Sequence, residues 1–333
     1  MNKEVSPARR DALLRSCTVW DNHACLPLRA DATFMPQLRR YRDAGVNLVS
    51  INVGFGEMSW PEHLAMLQFF RSWIESNSTE YSLISSVGDI DRARLEGKLG
   101  IVFDVEGMRP LATEPQLVQT CYDLGVRWML VAYNTNNLAG GGCLDKDTGL
   151  TANGRAIIDA METAGMVLCV SHTGARTAHE AVEYSRNPVI LSHSNPAADT
   201  PHARNVSDTL MRAVARTGGV VGLSGIGPYL GVGANLVGNL LRQLQYAIDV
   251  VGSQHVGLGL DYVFDRSELD EYVRQNPQMF PAELGIGGGM PMVAPEDFSA
   301  IVDGLIRIGL GDHDIRGVLG NNWLRVARHV WRS

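Results

Sequence analysis

The 333-residue sequence contains no apolar run of the roughly 20 residues that a membrane-spanning helix needs, so no membrane anchor is expected. It has no excess of positive charge: 29 lysines and arginines face 36 aspartates and glutamates, for a net charge of -7 and a pI near 5.7. Nucleic acid is therefore not an expected partner, because phosphate binding needs a basic face. The five cysteines (Cys17, Cys25, Cys121, Cys143, Cys169) are an odd set with no pairing pattern. That excludes a disulfide framework and fits a reducing, cytoplasmic setting. The opening MNKEVSPARRDALLRS lacks the apolar centre of a secretory signal, and the closing ARHVWRS is too polar for a lipid-anchor signal. Internal repeats, low-complexity tracts and domain boundaries are also missing. What remains is 45% apolar and 20% charged, with a mean hydropathy of -0.04. These are the proportions of an ordinary globular protein, long enough for one large α/β barrel or two modest domains.

The chain is organised around residues 165–205. Two short apolar runs, Met166–Val170 and Pro188–Leu191, each end in the same dipeptide, Ser171-His172 and Ser192-His193. The amphipathic segment between them, Ala175–Ser185, is long enough for about three helical turns. Strand, helix, strand makes a parallel unit with both histidines at the carboxyl ends of neighbouring strands. Loops converge on one crevice at that edge, and two histidines placed there can close on one metal ion. A pair of histidines hydrogen-bonded at strand ends is the plainer alternative; the repeated Ser-His favours the ligand reading.

Six more apolar runs follow the same rhythm: the approach Thr18–Trp20, then Val46–Val53, Leu99–Val105, Arg127–Ala132, Gly218–Leu223 and His255–Leu260. Helical patterns separate most of them, including one opened by Pro61 and others over Pro115–Leu124, Val206–Arg216 and Asn235–Val251. Asn153 is the expected N-cap of a helix running to Ala164. Eight strands alternating with helices predict an α/β fold, a (β/α)8 TIM barrel forming a single domain over residues 1–333. Helices around Pro295–Ile308 and Asp312–Trp331 would close the outside. The segment 262–294, with Gly287-Gly288-Gly289, reads as a long irregular loop on the active edge.

The polar residues at the strand ends are then Asp21 and His23 after the first run, Glu106 after the third, Tyr133 after the fourth, His172, His193 and Asp261. Three imidazoles and several carboxylates meeting at a barrel mouth are what a divalent metal requires. Each oxygen of Glu106 can take one ion, and two zinc ions about 3.5–4 Å apart can acidify a shared water while polarising a carbonyl. Asp261 could hold that water's proton and pass it to a leaving amine. Arg204, on the loop after the sixth run, offers a fork for a substrate carboxylate.

These residues together resemble the membrane (renal) dipeptidase family, metallopeptidases of the amidohydrolase-type barrels. The resemblance covers nearly the whole chain, from Asp21 to about Trp331. It rests on Asp21-Asn22-His23-Ala24-Cys25-Leu26-Pro27, Val105-Glu106-Gly107, the two Ser-His motifs, His202-Ala203-Arg204-Asn205-Val206, Gly257-Leu258-Gly259-Leu260-Asp261 and Leu319-Gly320-Asn321-Asn322-Trp323-Leu324-Arg325. It implies a binuclear zinc site with His23 on one ion, His172 and His193 on the other, and Glu106 between them. It also implies that Asp261 handles the proton and Arg204 takes the carboxylate of a dipeptide-like small molecule. A homodimer is the assembly kept in view.

Two positions depart from the family. Its opening motif has aspartate where this chain has Cys25, and its fourth strand ends in histidine where this chain has Tyr133. Cys25 as a thiolate would be a soft zinc ligand; as a neutral thiol it would leave a one-metal site; as a buried cysteine it would be inert. So one zinc ion or two are expected, two if Cys25 or a substitute completes the first site. Tyr133 can donate to a developing oxyanion and contact substrate, but it carries no positive charge at neutral pH. Hydrolysis of a dipeptide leads. Hydrolysis of a different C–N bond, or a metal-depleted binding protein on the same barrel, are the alternatives. The glycines at 285–289 lack the strand-then-helix setting of a phosphate loop, and His63 and His179 read as packing or surface residues.

Overall fold

β-Branched and aromatic side chains recur where the strands form. The computed structural model describes residues 5–231, 233 and 235–332, so the first four residues of the opening segment and Ser333 lie outside it. Its strands are β1 (Trp20–Cys25), β2 (Leu48–Phe55), β3 (Tyr81–Leu83), β4 (Leu99–Glu106), β5 (Val126–Leu130), β6 (Val167–Cys169), β7 (Val221–Leu223), β8 (Val256–Leu258) and β9 (Tyr262–Val263). Parallel pairing runs in the order β6-β5-β4-β2-β1-β9, with β3 also on β4, and β7 pairs β8 separately. Single parallel bridges, Cys169 to Ile190 and Leu191 to Val221, join the two sheets. Closure comes at the other side, where the Asp261 amide donates to the His23 carbonyl at 2.9 Å. The result is a (β/α)8 barrel.

Three differences from the sequence reading have physical causes. The run Pro188–Leu191 is held only by those bridges and forms no extended strand. Gly222 and Gly259 crowd against the backbone carbonyl of Ser192, where a Cβ at either would collide with it. This tight approach brings His193 toward the barrel axis. The segment 262–294 is not wholly irregular: Arg266–Gln275 is a helix, capped by Asp265, whose carboxylate accepts from the amides of Ser267 and Glu268. Its charged face hid the helical pattern. Finally, the helix Ala152–Ala164 is capped by Thr151 rather than Asn153, with Gly165 in the left-handed region at its end.

The amino-terminal ends of the strands are sealed by tryptophans. Trp20 and Trp331 meet edge to face at 5.8 Å, and the Trp323 indole donates to the Leu258 carbonyl at 3.1 Å. The opposite pole is left for chemistry. The helix Trp60–Ser76 shows how the outer layer attaches: Ser59 and Glu62 form a capping box, Pro61 sits in the first turn, and Met66, Leu67, Phe70 and Ile74 face the barrel. Each such buried aliphatic or aromatic side chain contributes about 1.5–3 kcal/mol. Among the described residues no helix is long and apolar enough to cross a membrane.

Candidate metal centre and cleft

His23, Glu106, His172 and His193 converge on one point although they come from β1, β4, the end of β6 and the end of the Pro188–Leu191 run. Glu106 Oε1 lies 3.5 Å from His23 Nε2, 3.5 Å from His172 Nε2 and 3.2 Å from His193 Nε2. That oxygen is buried and accepts no hydrogen bond. His172 Nε2 and His193 Nε2 are 2.8 Å apart, and the His23 and His193 rings stack with centroids 4.1 Å apart. A bulge in the β1–β2 register between Asp21 and Ala24 is what turns His23 inward.

Cys25 and Asp261 extend the cluster outward. Cys25 Sγ is 3.5 Å from His23 Nε2 and 3.5 Å from Asp261 Oδ1, and Asp261 Oδ1 is 3.5 Å from His23 Nε2. Two overlapping donor sets result, His23–Glu106–His193 and His23–Cys25–Asp261, each with its donor atoms within 4.8 Å of one another. Buried imidazole nitrogens, an unpartnered carboxylate oxygen and a sulfur in such sets suit a divalent ion such as zinc.

Backbone strain marks the same place. His172, Asp261 and Asn134 are the described non-glycine residues with positive φ, at 59°, 61° and 56°. Neighbours fix the rings. His23 Nδ1 donates to Asp104 Oδ2 at 3.3 Å, His172 Nδ1 donates to Asn134 Oδ1 at 2.7 Å, and His193 Nδ1 is 2.8 Å from Ser192 Oγ. Each contact leaves Nε2 pointing at Glu106.

Burial, followed by positive charge on Arg204 and His23, pushes the His172 and His193 imidazoles well below their usual range. Burial also pulls His23 down, but Glu106 and Asp104 outweigh it and raise that ring well above the usual value. Burial lifts Asp104 to about 7 and Asp261 to about 6 despite the nearby His23.

Arg204 is buried, and its guanidinium is nearly unspent. Nη2 donates to the His193 carbonyl at 3.4 Å, Nε has no acceptor, and the group lies 5.4 Å from the Tyr229 ring centroid. His202 holds the loop: it accepts from the Arg204 amide at 3.1 Å through Nδ1 and donates to the Leu284 carbonyl at 3.2 Å through Nε2. Tyr133 stacks on His172 at 4.2 Å and faces a cleft that also reaches Cys25, Glu106, Tyr229 and Asp261. Asp21, counted with the strand-end residues in the sequence, does something else. Its carboxylate accepts from Tyr41 Oη at 2.8 Å and the Leu260 amide at 2.7 Å, closing the barrel beneath the mouth. Asp104, Asn134 and Tyr229 were missed. Only Asp104 had a usable signal: it lies two residues before Glu106 on an alternating strand and so shares its face.

A parallel barrel gathering imidazoles and carboxylates at its strand ends is the architecture of metal-dependent hydrolases. The chain belongs to the membrane dipeptidase family (peptidase family M19), whose model matches residues 12–271. It is 25% identical over 273 residues to the dipeptidase VerJ of Clonostachys rogersoniana, covering 80% of this chain and 64% of that protein, less than two thirds of its length. It is 28% identical over 279 residues to an uncharacterized protein in the pqqA 5' region of Klebsiella pneumoniae, covering 80% of this chain and 95% of that one. Among solved structures, an amidohydrolase from Pseudomonas aeruginosa superposes with a TM-score of 0.88 at 26% identity, over 98% of this chain and 99% of that one. A Rhodobacter sphaeroides metallopeptidase liganded with a phosphinate mimic of the dipeptide L-Ala-D-Ala superposes with a TM-score of 0.78 at 18% identity, over 95% and 99% of the two chains.

Proposed function

We propose that the protein is a zinc-dependent dipeptidase, residues 1–333 forming one barrel domain whose 262–294 segment covers the mouth. The observation that carries this reading is Glu106 Oε1, within 3.5 Å of three imidazole nitrogens and without a hydrogen-bond donor. Family membership and the dipeptide mimic bound by the Rhodobacter relative support it. His23, Cys25 and Glu106 would hold one ion, and His172, His193 and Glu106 would hold a second.

When bound, the metal supplies Lewis acidity and makes a water acidic enough to attack a carbonyl. The protein's own groups do the rest. Arg204, backed by Tyr229, takes the free carboxylate and places the peptide bond over Glu106. Asp261 receives a proton from the attacking water and returns it to the nitrogen as the C–N bond breaks. Tyr133 donates a hydrogen bond to the carbonyl oxygen as negative charge gathers there. Two small products leave, one carrying the new carboxylate and the other the new amine.

The test is hydrolysis of simple dipeptides by protein stripped with chelator and then reloaded with zinc. Activity absent after stripping and restored by zinc is expected. Turnover unaffected by chelation, or none on any dipeptide after reloading, contradicts the reading.

A further inference from the structure

The wall of the cleft away from Arg204 is apolar and largely aromatic. Phe55 lies 5.1 Å from Tyr133 and 4.9 Å from Tyr272, while Phe280 lies 6.2 Å from Tyr133 and 5.8 Å from Tyr272, centroid to centroid. Leu269 and Met290 extend this surface. Tyr272, Phe280, Leu269 and Met290 all come from the segment 262–294, so the roof of the cleft is built by the stretch whose function the sequence left open.

That roof is anchored. The Met279 carbonyl accepts from Asn134 Nδ2 at 3.1 Å, and the same amide's oxygen accepts from His172 Nδ1. The aromatic wall is thus tied directly to the metal centre. These aromatic rings, each neighbouring two of the others, form a surface that rewards a flat or bulky apolar group and leaves a methyl group unfilled space.

The order of the strands says which end of a substrate meets this wall. Phe55 ends β2 and Tyr133 follows β5, whereas Arg204 and Tyr229 come from the connections on either side of β7. Around a closed barrel β2, β4 and β5 lie across the mouth from β7. A dipeptide with its carboxylate on Arg204 therefore projects its amino-terminal residue toward the aromatic wall. Among the described residues the cleft lining holds no lysine or arginine; Arg204 lies buried behind it, its guanidinium 5.4 Å from the ring centroid of the lining residue Tyr229. The rim of the cleft carries Asp265 and Glu268, each held by Arg29, at 3.0 and 2.8 Å. At this wall an acidic amino-terminal side chain would meet rings and two carboxylates, and the nearby cation, Arg29, is already paired with those carboxylates.

We propose that the cleft selects dipeptides with a large apolar, preferably aromatic, amino-terminal residue, with Phe55, Tyr272 and Phe280 as the specificity-determining side chains. This inference rests on the dipeptidase reading above for the placement of the carboxylate.

The experiment reads selection in two ways. For zinc-loaded enzyme, kcat/KM is expected to fall from L-Phe-Gly to L-Ala-Gly by on the order of tenfold or more, and further for L-Glu-Gly. In the zinc-loaded Asp261→Asn variant, calorimetry should give the same ranking in Kd without turnover. Tyr272→Ala combined with Phe280→Ala should shrink the Phe-to-Ala ratio at least threefold. The two readings fail separately. Tighter binding of L-Phe-Gly with no cleavage of any dipeptide by wild type would sink the hydrolysis assignment and uphold the selection. Equal Kd for L-Phe-Gly and L-Ala-Gly, or cleavage of both at equal kcat/KM, would overturn the selection and leave the dipeptidase standing.

Discussion

The two sides of Glu106 use the same residue type under opposite electrostatics. His172 and His193 are buried near Arg204 and are driven toward the neutral form; His23 is flanked by Glu106 and Asp104 and is driven toward the charged one. The neutral pair presents lone pairs that a cation can use at once. His23 sits where negative charge calls for a positive partner, and an ion proposed to bind there would take the place of its proton. On the proposed reading one side would therefore be a preformed pair of ligands, and the other a charge balance that a metal would complete. Cys25, the departure from the family's aspartate, lies on that second side.

The largest effect should follow from removing what the two sides share. Glu106→Gln keeps the shape and deletes the charge, so metal content should collapse and kcat/KM should fall roughly 10³-fold or more. A variant retaining wild-type zinc and rate would mean that Glu106 is not the common ligand. Next comes Arg204, whose Nε lacks an acceptor. Arg204→Ala should raise KM roughly 10²-fold for a dipeptide with a free carboxylate and hardly at all for its C-terminal amide. Equal losses on the two substrates would show that the guanidinium does not read the carboxylate. The smallest effect tests the contrast itself. Asp104→Asn weakens the field around His23 alone, so zinc affinity on that side should drop about 10- to 100-fold while the His172–His193 side keeps its ion. A uniform drop at both would erase the distinction.

Much of this was legible in the chain because barrel chemistry concentrates at strand ends. The repeated Ser-His, the Glu106 strand and the Asp261 turn named residues that the fold brings together, and the alternation of runs named the fold. The structure adds what depends on distance across the barrel. Asn134 acts through a hydrogen bond to a residue 38 positions away in sequence, and its left-handed backbone carries no sequence marker beyond the residue type. The aromatic wall pairs Phe55 with Tyr272, far apart in the chain and adjacent only once the roof segment folds back. The helix Arg266–Gln275 was obscured because it packs no fully buried residue, so its hydrophobic period is faint. The two weakly paired staves, around Ile190 and at β7, were read correctly as apolar runs, but their shortness follows from glycine contacts that only coordinates reveal.

The account turns on whether the His23 side holds an ion through Cys25. Burial raises the free Cys25 thiol well above its usual range, so only a bound cation would draw off that proton. Equilibrium zinc titration of metal-stripped protein tests this directly, with wild type, Cys25→Asp and Cys25→Ser run side by side. Two tight equivalents are predicted for wild type and for Cys25→Asp, with one for Cys25→Ser, because a neutral hydroxyl is a poor zinc ligand. The same stoichiometry in all three proteins would contradict the claim and remove Cys25 from the metal centre.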